Sequence, residues 1–334
     1  MRELVVISGK GGTGKTSFTA SFAALARDAV LADCDVDASD LHLILSPTVR
    51  ERHDFLSGHE AIILQELCVG CGACLAHCRF KAVRLLETKE AWAALDGGGA
   101  KCEECDYCRR SCSARVNAQM REMRDAMGED QRAVFLVDSL SCEGCGVCAQ
   151  FCPVSAIEMV ERHCGEWMVS DTRHGIMVHA RLHPGGENSG KLVTTVRKEA
   201  RRLAEENGRS LILVDGPPGV GCPVIASLGG ASMALVVAEP TVSGEHDIER
   251  ALSLARHFQI PSAVCVNKWD INPEMTERVE AKARAMGARV LGRARYDPQV
   301  TRAQMEGRAV VETDAPSAAD IRAIWEDLMK EEKN

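Results

Sequence analysis

Apolar, β-branched residues come in short unbroken runs along this chain, separated by stretches in which apolar positions recur every three or four residues. Residues 4–8 (Leu-Val-Val-Ile-Ser), 30–33 (Val-Leu-Ala-Asp), 211–215, 233–238, 263–266 and 289–291 are such runs. A run that is apolar at every position suits a strand buried on both faces, the condition of a parallel sheet covered by helices. Between the runs, residues 17–27 carry Phe18, Phe22, Leu25 and Ala26 at helical spacing, and 244–258, 273–286 and 318–330 read as further helices. A short helix ends at residue 45, where Ser46-Pro47 breaks it, and a basic helix over 191–206 is closed by Asn207-Gly208. Residues 165–182 hold β-type residues without a helical period. The alternation predicts an α/β fold with a doubly wound, mainly parallel sheet. Only 4% of residues are aromatic, so its core is aliphatic.

The first strand runs into Gly9-Lys10-Gly11-Gly12-Thr13-Gly14-Lys15-Thr16, with Ser17 opening the helix. Strand, glycine loop and helix form the context of a phosphate-binding loop. Backbone N–H groups curl around the phosphates and the helix N-terminus adds its positive end. Lys15 is placed to reach the β- and γ-phosphates, and the Thr16 hydroxyl to hold Mg²⁺. The strand over 211–215 ends in Asp215, a second Mg²⁺ position acting through water. Gly216-Pro217-Pro218-Gly219 follows as a switch loop, in which Gly219 is placed to sense the γ-phosphate.

Sixteen cysteines interrupt this pattern, and their spacing indicates metal rather than disulfides. Cys68, Cys71, Cys74 and Cys78 form a C-x2-C-x2-C-x3-C run, which Cys142, Cys145, Cys148 and Cys152 repeat with Pro153 behind it. The tails Lys81-Ala82-Val83 and Ser155-Ala156-Ile157 match as well. This is the spacing of bacterial ferredoxins, in which the fourth cysteine of each run serves the other cluster. Cys68, Cys71, Cys74 and Cys152 are thus expected to hold one [4Fe–4S] cluster, and Cys142, Cys145, Cys148 and Cys78 the other. A zinc ribbon would use cysteine pairs and needs no quartets. A third quartet, Cys102, Cys105, Cys108 and Cys112, lacks the glycines and the proline. A third [4Fe–4S] cluster, a zinc site and an alternative partner for one outer quartet stay open for it. Asp96-Gly97-Gly98-Gly99 reads as a linker, and Met120, Met123 and Met127 as the packing stripe of a charged helix. The expected organisation is a nucleotide-binding part over 1–61, an inserted ferredoxin-like iron–sulfur domain over 62–162, and the rest of the nucleotide-binding part over 163–334.

Lys10, a second lysine inside the loop, gives Lys-Gly-Gly-Thr-Gly-Lys-Thr, which resembles the deviant phosphate loop of MinD/ParA-type ATPases. That family includes the nitrogenase iron protein and the Mrp-type iron–sulfur carriers. Glu187-Asn188-Ser189-Gly190-Lys191-Leu192-Val193, Gly221-Cys222-Pro223 and Glu239-Pro240-Thr241 resemble it too, and the whole chain is similar to members with an inserted ferredoxin domain. The resemblance implies that Lys10 reaches the nucleotide of a second subunit, in a nucleotide-dependent homodimer or a heterodimer with a paralogue. It also implies that an aspartate ending the second strand, Asp35, orients the attacking water or the water shell of Mg²⁺; Asp33 and Asp37 are its near neighbours. Asn267-Lys268-Trp269-Asp270 looks like the base-reading motif of P-loop nucleotidases, with Asn267 on the adenine. Lys10, Lys15 and Asp35 are then the catalytic group. Cys34 reads as a packed strand residue. Cys222 reads as a small buried residue, with a cluster contact as the sharper alternative. His174, His179 and His183 alternate too much to share one metal.

Charge narrows the function classes. The net charge is −8 with a pI near 5.7, and no basic run is present, so nucleic-acid binding is not expected. No apolar stretch has the length of a membrane span, and no signal-peptide pattern stands at the start, so a cytoplasmic protein is expected. The last helix carries acidic residues on its polar face, which anionic lipid would repel, so it is expected to pack on the ATPase. Three functions fit: ATP-gated electron transfer to a redox partner, a scaffold or carrier passing metalloclusters to an acceptor protein, and a MinD-like positioning ATPase. Complete cysteine sets suit buried electron carriers and favour the first.

Overall fold

The computed structural model describes residues 1–26, 28–86, 134–186 and 188–330. Cys102, Cys105, Cys108 and Cys112, the glycine linker and the methionine stripe lie outside the described residues. The chain divides into two compact units: Met1–Asp54, Gly165–Leu182 and Asn188–Asn334 form one, Phe55–Cys164 and His183–Glu187 the other.

The first unit holds β1 (Arg2–Ser8), β2 (Ala29–Asp33), β7 (Gly175–Leu182), β8 (Leu211–Pro218), β9 (Met233–Ala238), β10 (Ser262–Asn267) and β11 (Arg289–Ala294). Two strands belong to both units: β3 (Thr48–Ile63) begins in the first and runs on into the second, and β6 (Ile157–Thr172) leads back. These nine strands make one sheet in the order β11-β10-β9-β1-β8-β2-β7-β6-β3. From β11 to β7 neighbours run parallel, and β6 turns back antiparallel to β7, pairing Gly165 with Leu182 and Thr172 with Gly175. The chain crosses from one side of β1 to the other between β8 and β9, which makes the C-terminal end of β1 a topological switch point.

The central strands are the apolar runs of the sequence. Leu4 to Ile7, Val30, Leu31, Ile212, Leu213 and Val214 are all fully buried. The limits expected at 62 and 162 fall inside β3 and β6, each of which is an unbroken strand of 16 residues. Neither has the continuous apolar run that marks the central strands. Residues 48–54 are exposed or half-buried, because this part of β3 is an edge strand whose polar side chains face water.

Helices α1 (Lys15–Ala26) and α10 (Pro316–Met329) share one core. Phe22 meets Trp325 at a ring separation of 5.0 Å, and Ile321, Ile324 and Leu328 are buried with them. The last helix therefore packs on the sheet, as its acidic polar face led us to expect. A buried ion pair that the sequence did not reveal ties β1 to α5 (Ser189–Glu206): Glu3 Oε1 accepts from Arg197 Nε at 2.5 Å and Glu3 Oε2 from Arg201 Nη2 at 2.6 Å.

The second unit holds the antiparallel pair β4 (Val83–Leu86) and β5 (Val134–Val137) and two one-turn helices, α3 (Ala73–His77) and α4 (Val147–Gln150). Gly72 and Gly146 precede these helices with φ of 72° and 73°, a left-handed conformation that costs other residues energy. The two halves match atom for atom at the fourth cysteines: Ala82 N donates to Cys78 Sγ at 3.3 Å, and Ala156 N to Cys152 Sγ at 3.2 Å. Ala61, Ile63, Val83, Phe135 and Ile157 pack among the cysteines as the core of this unit.

Ile324→Ala is expected to lower the unfolding free energy by about 2–5 kcal/mol, the range for emptying a well-packed aliphatic site. Urea denaturation of the two proteins at one pH measures it; an unchanged midpoint would mean that α10 is not part of the first unit's core.

Candidate functional site

The glycine loop leaves β1 at the switch point, and each side chain there is positioned by a strand end. Gly12 and Gly14 have φ of 80° and 91°. A Cβ on Gly14 would lie 2.4 Å from Asn267 Nδ2, so the loop depends on glycine for both conformation and space. Asn267, at the end of β10, donates to the Thr13 carbonyl at 2.8 Å. The side chain assigned to adenine by the sequence thus also braces the loop. Lys268 adds a second brace from the same motif, with Nζ 3.2 Å from the Gly12 carbonyl and 2.5 Å from Glu239 Oε1.

Lys15 lies at the centre. Its Nζ is 3.1 Å from Asp215 Oδ1 on β8 and 3.2 Å from Asp35 Oδ2 just past β2. Asp215 also accepts from Thr16 Oγ1 at 2.8 Å and from Thr19 Oγ1 at 2.9 Å. The structure thus brings together Lys15, Thr16, Asp35 and Asp215, and adds Thr19, whose place one turn along the helix gave the only sequence signal. Thr13 Oγ1 is buried in the loop without a hydrogen-bond partner. Ser17 is reached from the far end of the chain by Gln304 Nε2 at 2.7 Å.

The electrostatics follow from this crowding. Burial alone would push the Lys15 ammonium down, but the carboxylates of Asp215, Asp35 and Asp33 outweigh it and hold its pKa above the ordinary value. Burial, followed by Lys15 lowering and Asp215 raising it, leaves the Asp35 carboxyl above its ordinary range. Asp33 is fully buried beneath them; burial and the Asp215 charge push it up to about 7. Its oxygens are taken by Ser39 Oγ at 2.6 Å and the Asp35 amide at 3.1 Å. Asp35, rather than Asp33, is therefore the aspartate facing the loop.

Lys10 points away from Lys15. Its Nζ lies 3.2 Å from Glu239 Oε2 and 3.3 Å from Ser243 Oγ, at the start of α7 (Val242–His257). Gly219 N donates to the Ser8 carbonyl at 2.8 Å, holding the switch loop against β1. Cys222 opens α6 (Cys222–Leu228) and is exposed, against the expectation of a small buried residue, because it heads a short helix outside the sheet. Cys34 is fully buried, as expected, but sits one residue past the end of β2 rather than in it. The three histidines do not meet: His179 bonds Ser170 Oγ at 2.8 Å, and His174 pairs with Glu312 at 3.3 Å.

In the second unit the outer quartets line two cavities. Cys68, Cys71, Cys74 and Cys152 border one, with Ile63, Val69, Phe135 and Val154. Cys78, Cys142, Cys145 and Cys148 border the other, with Ala61, Phe80, Val83 and Glu143. Each cavity takes three cysteines from one run and the fourth from the other. Burial pushes the Cys74 and Cys148 thiols up. Among the described residues, no three His, Cys, Asp or Glu side chains converge as a single-ion site.

A sequence model of the family described as the CobQ/CobB/MinD/ParA nucleotide binding domain matches residues 4–310. An uncharacterized protein of Methanocaldococcus jannaschii is 27% identical over 273 residues, which are 81% of this chain and 79% of that protein. The cell division ATPase MinD of Pyrococcus furiosus has a similar structure, with a TM-score of 0.53 at 15% identity and 98% of each chain covered. MinD of Pyrococcus horikoshii, complexed with Mg-ADP, gives 0.53 at 15% identity, covering 99% of this chain and 97% of that one. At these identities the structural likeness is one of fold.

The raised Asp33 carboxyl makes stability fall with pH. Between the unfolded value near 3.8 and the folded value of about 7, the folded chain binds a proton that the unfolded chain has lost. The cost of ionising Asp33 is absent below that window, grows through it and is complete above it. Asp33→Asn is therefore expected to gain stability relative to the parent as pH rises from 5 to 8, in nucleotide-free protein. Denaturation midpoints that run parallel across this range would contradict it.

Proposed function

Because the chain belongs to the CobQ/CobB/MinD/ParA nucleotide-binding family, we propose that it is a Mg²⁺-dependent ATPase whose nucleotide state gates electron transfer through [4Fe–4S] centres to a redox partner. The observation that carries the iron–sulfur part is the sharing of cysteines between the two cavities. A mononuclear zinc site needs four ligands about 2.0–2.3 Å from one point. The described cysteines do not converge in that way, yet four border each cavity. The donor set is all thiolate, as a cubane requires, and two backbone N–H groups already point at cysteine sulfurs. Cys68, Cys71, Cys74 and Cys152 would hold one centre, and Cys78, Cys142, Cys145 and Cys148 the other. Such centres supply one-electron transfer.

On the nucleotide side, Lys15 exchanges its carboxylate partners for the β- and γ-phosphates. Thr16 and Asp215, which share a hydrogen bond, would hold Mg²⁺, Asp215 through water. Asp35, released from Lys15, orients the attacking water. No strong base is required, because positioning and charge neutralisation carry phosphoryl transfer. Lys10 leaves Glu239 and Ser243 to reach the nucleotide of a second subunit. Asp35 and Asp215 flank the cysteine-bearing stretch along the chain, so a shift of either on hydrolysis acts on a segment joined to that stretch. That is how a two-state switch is biased by the γ-phosphate.

Two measurements test this. Asp35→Ala is expected to bind ATP while hydrolysing it about a hundredfold more slowly, the scale of misplacing a reacting group by about 1 Å. Anaerobic potentiometric titration, with and without Mg²⁺ and a non-hydrolysable ATP analogue, is expected to show a shift of tens of millivolts; about 59 mV is tenfold for one electron. Potentials indifferent to nucleotide would remove the gating.

A further inference from the structure

The two cysteine-lined cavities match in backbone but differ in charge. Apart from its cysteines, the lining of the first carries no ionisable side chain. Behind the second stands Arg162, on β6, only 7% exposed. Its Nη1 donates to the Cys142 carbonyl at 3.4 Å and its Nη2 to the Gly185 carbonyl at 2.9 Å. Both partners are neutral carbonyls, and among the described residues no carboxylate forms an ion pair with Arg162. An arginine is otherwise among the residues least often fully buried unless paired.

We propose that Arg162 sets the order of the two centres, holding the one at Cys78, Cys142, Cys145 and Cys148 at the higher reduction potential. This rests on the iron–sulfur reading given above. A thiolate-ligated cluster becomes more negative by one charge when it takes an electron, so a fixed cation nearby favours the reduced form. Net charge and hydrogen bonding around the sulfurs are among the levers that set such potentials. Glu143 lines the same cavity and opposes the effect, but it is exposed, and water and salt screen an exposed charge far more than a buried one. Buried Arg162 therefore outweighs it. A single electron shared between the centres leaves the one at Cys68, Cys71, Cys74 and Cys152 and rests at the other, with no proton or bond exchanged.

The test uses the full chain, reconstituted anaerobically with iron and sulfide, in parent, Arg162→Met and Arg162→Lys forms. Iron and acid-labile sulfide are counted first, and the potential of each centre is then followed by low-temperature EPR. Cys145→Ser, which alters only the second centre's signal, assigns the two. Arg162→Met is expected to make one-electron reduction of the second centre about tenfold less favourable, about 59 mV lower. The first centre stays within a fraction of that shift, and Arg162→Lys stays near the parent. A parent that binds neither iron nor sulfide refutes the iron–sulfur reading itself. With centres present, an unmoved second centre, or an equal shift of both, overturns the role of Arg162. Should Arg162→Met not assemble, Arg162→Gln, which keeps a donor for the Cys142 carbonyl, takes its place. If that variant also holds no iron, the residue builds the site rather than tunes it, and the proposal fails.

Discussion

The first unit depends on one buried ammonium group. Lys15 is 5% exposed and reaches carboxylates from two separate strands, Asp215 on β8 and Asp35 just past β2. Breaking a buried ion pair by removing one partner costs about 3–5 kcal/mol, because the other charge stays buried alone. The glycine loop, the first helix and the two strands that carry the aspartates are thus held in register by charge as well as by the aliphatic sheet.

Around this centre the loop is braced rather than left open. Asn267 and Lys268 hold the carbonyls of Thr13 and Gly12, and Glu239 joins Lys268 and Lys10 in one ionic group. Such contacts fix the loop on rigid elements, the condition for positioning a reacting phosphate within fractions of an ångström. Lys10 is the exception, since its own side chain is 36% exposed and its partner Ser243 is exposed.

The second unit works by symmetry of a different kind. Two glycines in left-handed conformation start its short helices, and two backbone amides face its fourth cysteines. The halves then differ where charge is concerned, with Arg162 behind one cavity only.

Much of this was legible along the chain. The continuous apolar runs 4–8 and 211–215 could only be strands buried on both faces, and the glycine loop between strand and helix gave the phosphate site, because both are local patterns of one segment. The cysteine spacing gave each quartet for the same reason. The resemblance chose Asp35 over Asp33 two residues away, but the contact with Lys15 exists only through the turn of the backbone beyond β2. The sequence could not place Asn267 on the loop, expose Cys222 at a helix start, or put Glu3 against Arg197 or Arg162 against Cys142. These contacts join residues 20 to 254 positions apart. Local sequence fixes period and conformation, whereas charge pairing across such separations exists only once the sheet order has brought the strand ends together.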